Sequence, residues 1–454
     1  MNPSTWPDRD RLRAALRRET DRFVEAHPRS RALFERGRRS LLAGVPMPWM
    51  VRWPGGFPVV VAEGSGGRFR DVDGHEYVDF CLGDTGAMTG HAPGEVTAAV
   101  DARMRRGVTF MLPVEEAIEV SEELQRRFAL PFWQYAVSAT DANRFAIRIS
   151  RHLTGRPKIL VFNWCYHGTV DEAFITLDGD GRAAAARAGN IGPPVDPALT
   201  TRVVEWNDVA ALEAALAPRD VACVLAEPAM TNIGIILPEP GFHRALRDLT
   251  RRTGTLLILD ETHTLSAGPG GCTRAWGLEP DLLTIGKAIA GGVPGAVYGL
   301  SAAVAEGILP RIHDDESDAG GIGGTLAGNA LSIAAMRATL ASCLTEKQFA
   351  VTTRLAARWA QGVESVIRAR RLPWHVVTLG CRAEYWFRAT PPRHGGEAAA
   401  SIDPELDRYM HLAALNRGFL ITPFHNMALI APGITDEDVD RHTAVFRDSV
   451  EGLL

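Results

Sequence analysis

Long apolar runs are missing from this sequence. None approaches the ~18–20 residues that a helix needs to cross a bilayer, and the N-terminus, MNPSTWPDRDRLR, is charged where a secretory signal would be apolar. Paired cysteines are missing too. Cys81, Cys165, Cys223, Cys272, Cys343 and Cys381 are scattered, with no CxxC pair and no Cys/His group at zinc spacing. Reduced thiols in a cytosolic setting are the simplest account. A strong charge of one sign is also absent. A net charge of -5 over 454 residues gives no electrostatic reason to expect nucleic acid or an anionic membrane as partner. The Arg-rich N-terminal stretch reads as a solvated helix face, and no internal repeat or low-complexity linker stands out. These absences predict a soluble, cytoplasmic protein without metal. At 454 residues the chain is too long for one simple core and suits two or three packed domains.

What is present is periodic. Residues 8 to about 40 are rich in Arg, Glu, Leu and Ala and read as one or two helices interrupted near Pro28. From Val59 to Phe80 apolar and polar residues alternate around Gly-rich and Asp-Gly turns, which predicts a β-meander. From about residue 94 to 300, helical stretches alternate with short apolar runs: KILVF at 158–162, VACVLAEP at 221–228, TLLILDE at 255–261 and DLLTIGK at 281–287. That pattern predicts an α/β domain with a mostly parallel sheet and helices on both faces. The final portion reads as mixed α+β, with candidate strands in VVTLGCRAEYWF and GFLITPF. The expected layout is a large domain over 76–330, a C-terminal small domain over 331–454, and N-terminal helices and meander over 1–75 that join the small domain.

Open α/β sheets bind ligands at the carboxyl ends of their strands, and three features fall there. Asp260 ends LLILD, where a carboxylate can pair with a protonated ring nitrogen. Lys287 follows DLLTIG among small residues, where a lysine with a lowered pKa can form an imine. VSATDANRF opens a predicted helix with small and hydroxyl residues, suited to a phosphate. Each has a plainer reading: a helix cap, a surface lysine, a capped helix start. Their order, each after an apolar run, argues for the functional one.

The sequence resembles the class III (omega-) aminotransferases, fold-type-I enzymes dependent on pyridoxal 5′-phosphate, and within them the glutamate-1-semialdehyde aminomutase-like branch. DVDGHEYVDF, CYHG at 165–168, AEPAMTNIG, LILDETHT, TIGKAIAGGVP and GGTLAGNALSIAA carry the resemblance, which covers nearly the whole chain. It implies a large domain on a mostly parallel seven-stranded sheet plus a small α+β domain. It implies that Lys287 holds the cofactor as a Schiff base and shuttles the substrate proton. Asp260 would meet the pyridinium nitrogen, Tyr166 and Thr262 the two ring faces, and Ala139 and Thr140 the phosphate, with Glu227 and Asn232 near the ring hydroxyl. Thr325 would reach the phosphate of the neighbouring subunit, so a homodimer with shared active sites is expected.

The departures bear on substrate. Aminomutases of this branch carry an arginine where AGVPMPWMVRW aligns Met50, and β-amino-acid aminotransferases carry one near TPFHNM, which offers Phe424 and His425. Losing both carboxylate clamps argues against an ordinary amino-acid or semialdehyde specificity. Trp49, Met50 and Trp53 suggest an apolar pocket wall, or ordinary core. Asp84 would attract a cationic or hydroxylated group, or cap a turn. Arg382 would bind an anion, or pair with Glu384 or a neighbouring strand, and His425 and Asn426 would sit at the pocket rim. The expected activity is transfer of an amino group from an amine or omega/beta-amino acid to a keto acid by a ping-pong cycle. The alternative is a lyase or aminomutase of the same family.

Overall fold

The computed structural model describes residues 7–181, 183–187, 190–191, 195–314 and 318–454. The first six residues of the charged N-terminal stretch lie outside the described residues. The chain divides into two compact units. One comprises Gly94–Phe349 and Pro392–Ala400; the other comprises the chain through Pro93, Ala350–Pro391 and Ser401–Leu454.

The most apolar segments make the centre of the first unit. Val221–Ala226 is buried at every position, and so is Leu282–Ile285. Such strands must be covered on both faces. They belong to a seven-stranded sheet ordered 132–136, 296–300, 282–285, 256–260, 221–226, 158–162, 201–204. The pairs from 282–285 to 201–204 are parallel, whereas Ala296–Leu300 runs antiparallel to both neighbours. The mostly parallel sheet expected from the sequence is therefore present, and the four apolar runs named above are four of its strands. Phe132–Ala136, Thr201–Val204 and Ala296–Leu300 were not named, for physical reasons. The first two are edge strands with mixed burial, and Ala296–Leu300 (AVYGL) holds a glycine whose added Cβ would lie 2.8 Å from the Trp133 ring.

The helix Ala139–Thr154 covers one face of this sheet. Ser138 caps it by accepting from Asp141 N, and Gly155 ends it in the left-handed region at φ 66°. Ala142, Phe145, Ala146 and Ile149 follow the helical spacing and pack with Ile159, Val161, Cys223, Leu225 and Ile258. Alternate strand residues thus share one face with the helix. Ile149 is buried completely enough to contribute about 1.5–3 kcal/mol. Its first turn is thereby fixed beside the strand ends.

In the second unit, helices Arg9–Ala26 and Pro28–Gly37 break at His27, as Pro28 predicts. The meander is Val61–Ser65, Arg68–Asp71 and Glu76–Asp79, joined in parallel by Phe419–Leu420. Phe23, Phe57, Phe69, Tyr77, Leu412 and Leu415 form one cluster, and Arg9 pairs with Asp403 at 2.7 Å. His375–Leu379, Arg382–Trp386 and Met427–Leu429 form an antiparallel sheet. After Asp79 the backbone turns left-handed over four consecutive residues: Leu82 (φ 48°), Gly83 (57°), Asp84 (50°) and Thr85 (84°). Asp79 Oδ1 holds the entry, accepting from Cys81 N at 2.8 Å and Leu82 N at 2.7 Å. No helix among the described residues is long and apolar enough to cross a membrane.

Candidate active site

Three adjacent parallel strands end in ionisable or hydroxyl side chains: Val221–Ala226 before Glu227, Leu256–Asp260 before Thr262, and Leu282–Ile285 before Lys287. Their carboxyl ends form one row because parallel register places them side by side.

Asp260 is buried yet surrounded by donors. Its Oδ2 accepts from Asn143 Nδ2 at 2.8 Å and His167 Nδ1 at 3.0 Å, and its Oδ1 from Thr262 N at 3.0 Å. Burial alone would raise its pKa; the hydrogen bond and charge of His167 outweigh burial and hold it below the ordinary carboxylate range. Burial opposes charge on His167, while Cys165 and Asp260 favour it, and the imidazole is held above its ordinary value. His167 Nε2 is buried with no hydrogen-bond partner among the described residues. Asn143 is itself oriented, since its Oδ1 accepts from Thr284 Oγ1 at 2.7 Å on the Lys287 strand.

Lys287 occupies the left-handed region at φ 50°, a conformation that costs a non-glycine residue about 1–2 kcal/mol and is concentrated at functional sites. Its Nζ lies 2.7 Å from His263 Nε2. The two turns carrying these side chains are tied twice: Glu261 N donates to Thr284 O at 2.9 Å, and Gly286 N donates to Thr262 Oγ1 at 3.2 Å. A Cβ on Gly286 would fall 2.8 Å from Ala139 Cβ, so the start of the helix Ala139–Thr154 is packed directly on the lysine turn. Ala139 lies in the helix outside the left-handed region, which is the condition for alanine to replace glycine there.

Thr140 Oγ1 accepts from Thr169 N at 3.0 Å, leaving its proton to donate. A Cβ on Gly168, at φ 77°, would lie 2.1 Å from that oxygen, so only glycine fits. Tyr166 stands edge-on to Phe174 with ring centroids 6.2 Å apart. Burial raises Glu227 to about 7, against the lowering effects of His167 and of its hydrogen bonds with Thr231. Asn232 Nδ2 donates to Trp164 O at 2.8 Å, tying its loop to the segment before Tyr166. Thr325 is exposed in the turn after Ala319–Ile322.

The remaining sequence candidates lie in the other unit. Trp49 and Met50 remain 41% and 37% exposed. Trp49 meets Phe424 edge-to-face at 5.9 Å, and Met50 and Trp53 line a cavity of about 770 Å³. Arg382 is fully buried and donates to Thr85 Oγ1 at 3.0 Å, at the end of the left-handed turn that carries Asp84. His425 lies 3.7 Å from Glu384. Burial opposes charge on His425, but Glu384 and Asp84 hold it above its ordinary value. Asn426 Nδ2 donates to Asp407 at 3.0 Å.

Sequence reasoning assigned no role to Asn143, His167, Thr284 or His263. Asn143 had a readable signal, one helical turn beyond Ala139 on the same face, and His263 stands three residues after Asp260.

A family model for "Aminotransferase class-III" matches residues 50–448. The chain belongs to that family. This class III chain is 33% identical over 428 residues to glutamate-1-semialdehyde 2,1-aminomutase 1 of Cenarchaeum symbiosum (strain A), covering 93% of this chain and 99% of the relative. It is 50% identical to a glutamate-1-semialdehyde-aminomutase of Pseudomonas aeruginosa PAO1 whose crystal structure, a lysine-to-alanine variant in complex with PMP, superposes with a TM-score of 0.96 over 98% of this chain and 99% of that one. An omega-transaminase from Sphaerobacter thermophilus is 29% identical with a TM-score of 0.85, over 94% of this chain and 98% of that one. The fold is that of the fold-type-I transferases, and the family's cofactor is pyridoxal 5′-phosphate. The class III residues present here fit that cofactor. A buried carboxylate kept ionised suits a cationic ring nitrogen, and Gly168 and Gly286 let Thr140 and Ala139, at the helix start suited to a phosphate, pack against the Tyr166 and Lys287 turns.

Proposed function

We propose that this class III enzyme is an aminomutase, moving an amino group between neighbouring carbons of one amino-carbonyl substrate. The supporting observation is 50% identity over 98% of the chain to the aminomutase of P. aeruginosa. This reading departs from the ping-pong transfer expected from the sequence. That second reading keeps one specific support, the exposed Met50 where aminomutases of this branch carry an arginine.

Pyridoxal phosphate, when bound, supplies an aldehyde that captures amines and a protonated ring that withdraws electrons. Lys287 would hold it through Nζ and, once released, carry the proton that leaves one substrate carbon and returns at another. Asp260, with its charge fixed by His167, Asn143 and Thr262 N, would face the ring nitrogen. Backbone N–H groups at Ala139 and Thr140 would bind the phosphate, joined by the Thr140 hydroxyl. Tyr166 and Thr262 would bracket the ring, and Glu227 and Asn232 would lie on its hydroxyl side. Thr325 would serve the site of a second copy of the chain, making the working unit a homodimer in the cytoplasm.

The test supplies the holoenzyme with glutamate 1-semialdehyde and no keto acid. Exchange of the C2 amino group with the C1 oxygen yields the isomer 5-amino-4-oxopentanoate, whose formation supports the proposal. Amino transfer only on addition of pyruvate or 2-oxoglutarate supports the second reading. Release of ammonia identifies a lyase and overturns both.

A further inference from the structure

His263 follows the Asp260 strand and Lys287 follows the next one, with Nε2 and Nζ 2.7 Å apart. At that distance one nitrogen donates and the other accepts. Three independent features fix the contact. His263 immediately precedes the short helix Thr264–Ala267. The preceding Glu261 is buried, and its carboxylate accepts from Thr264 Oγ1, Cys272 N and Thr273 N. The bonds Glu261 N to Thr284 O and Gly286 N to Thr262 Oγ1 lock the two turns in register. Lys287 is held from its own side by its left-handed backbone and by Ala139 against Gly286.

An ammonium nitrogen has no lone pair. Before Lys287 can attack a carbonyl carbon its Nζ must lose a proton, and the half-buried site restricts the water that would accept it. Imidazole Nε2 is a base at hydrogen-bond reach of that proton. We propose that His263 is the proton acceptor for Lys287, taking a proton from Nζ when the lysine captures the aldehyde of its cofactor and returning it to the departing oxygen. This rests on Lys287 being the cofactor lysine.

The step balances. An Nζ–H bond breaks toward Nε2, the freed pair forms Nζ–C, and the carbonyl π pair moves to oxygen. One further proton passes from nitrogen to oxygen, Nε2–H supplies the second, and water leaves as a protonated Nζ=C bond forms. His263 ends neutral, ready for the next exchange. Among the described residues, the ionisable groups near these strand ends include Asp260, Glu261, Glu227, Tyr166, His167 and Cys165, with Arg187 against Cys165 and Asp141 at Ser138. Asp260 is committed to His167 and Asn143, Glu261 to its own turn, Glu227 to Thr231 and Asp141 to Ser138.

The test follows cofactor capture rather than turnover. Apoprotein is mixed with pyridoxal phosphate and the visible absorbance of the bound form is timed from pH 5.5 to 9. His263→Gln keeps a hydrogen-bond acceptor but cannot take a proton, and His263→Ala opens space for added imidazole. Capture is expected to slow at least ~10-fold in both variants, with loss of the wild-type inflection in the imidazole range and recovery of the alanine variant with added imidazole. Circular dichroism and melting temperature verify that the variants are folded. Wild-type rate and pH profile in His263→Gln, or no imidazole rescue, would overturn the proposal. Absence of capture by the wild type, or unimpaired capture by Lys287→Ala, would instead refute the assignment of Lys287.

Discussion

Asp260 and Glu227 are carboxylates buried at the ends of adjacent strands, and burial has opposite outcomes for them. Around Asp260 the donors win, so it stays ionised; around Glu227 burial wins and its pKa rises to about 7. The folded state therefore binds a proton at Glu227 more tightly than the unfolded chain does. Its contribution to stability is fully present below the unfolded value of 4.5 and is lost as pH rises through about 7. Glu227→Gln should flatten the melting temperature profile between those two values, and a wild-type slope in the variant would exclude this account. Asn143 carries a larger share of the local order because it joins Asp260 to Thr284. Asn143→Ala should destabilise the apoprotein by about 1.5–3 kcal/mol in urea titrations.

Among the elements, the turn Gly286–Lys287 and the helix opening at Ala139 behave as one part. Gly286→Ala should lower stability and slow cofactor capture, because its Cβ meets Ala139 Cβ at 2.8 Å. Adding Ala139→Gly should restore part of both, since Ala139 N and Cα remain at 3.1 and 3.3 Å. Additive losses in the pair would contradict direct contact. The left-handed turn Leu82–Thr85 invites a second comparison. Asp84→Gly should be about 1 kcal/mol more stable than Asp84→Ala, as read by thermal melts, because only the alanine retains backbone strain. The sequence showed the strands that place Asp260 and Lys287, since a continuous apolar run of that length, bounded by turn residues, suits a strand buried on both faces. It did not show that Asn143, 117 residues before Asp260, would orient that carboxylate. Nor did it show that His263 would meet Lys287. Such partners are chosen by sheet order and register, which local periodicity does not encode.

Across the whole molecule, the motif blocks carried the family and fold type, while substrate choice was less legible. The missing arginine at Met50 argued away from aminomutase chemistry, yet relatives with that name match over nearly the full chain. Substrate choice is set by the particular side chains of a site and not by the fold that carries them. The second unit also draws on widely separated parts of the chain. Strand Glu76–Asp79 pairs with Phe419–Leu420, with Phe80 N bonded to Leu420 O at 2.8 Å. On ribosome-bound chains ending near residue 400, the helices and strands between 94 and 349 should resist protease while the 61–80 meander is cut. Equal protection of both would refute that ordering.

The same pairing sets a waiting time during synthesis. Between Asp79 and Phe419 the ribosome adds 340 residues, which takes roughly 17–70 s at typical rates. Throughout that interval the edge of Glu76–Asp79 that Phe419–Leu420 later covers stays unpaired, a template open to capture by other nascent chains. Yield of folded protein in the cell should therefore depend on translation speed and on early chaperone engagement of this segment.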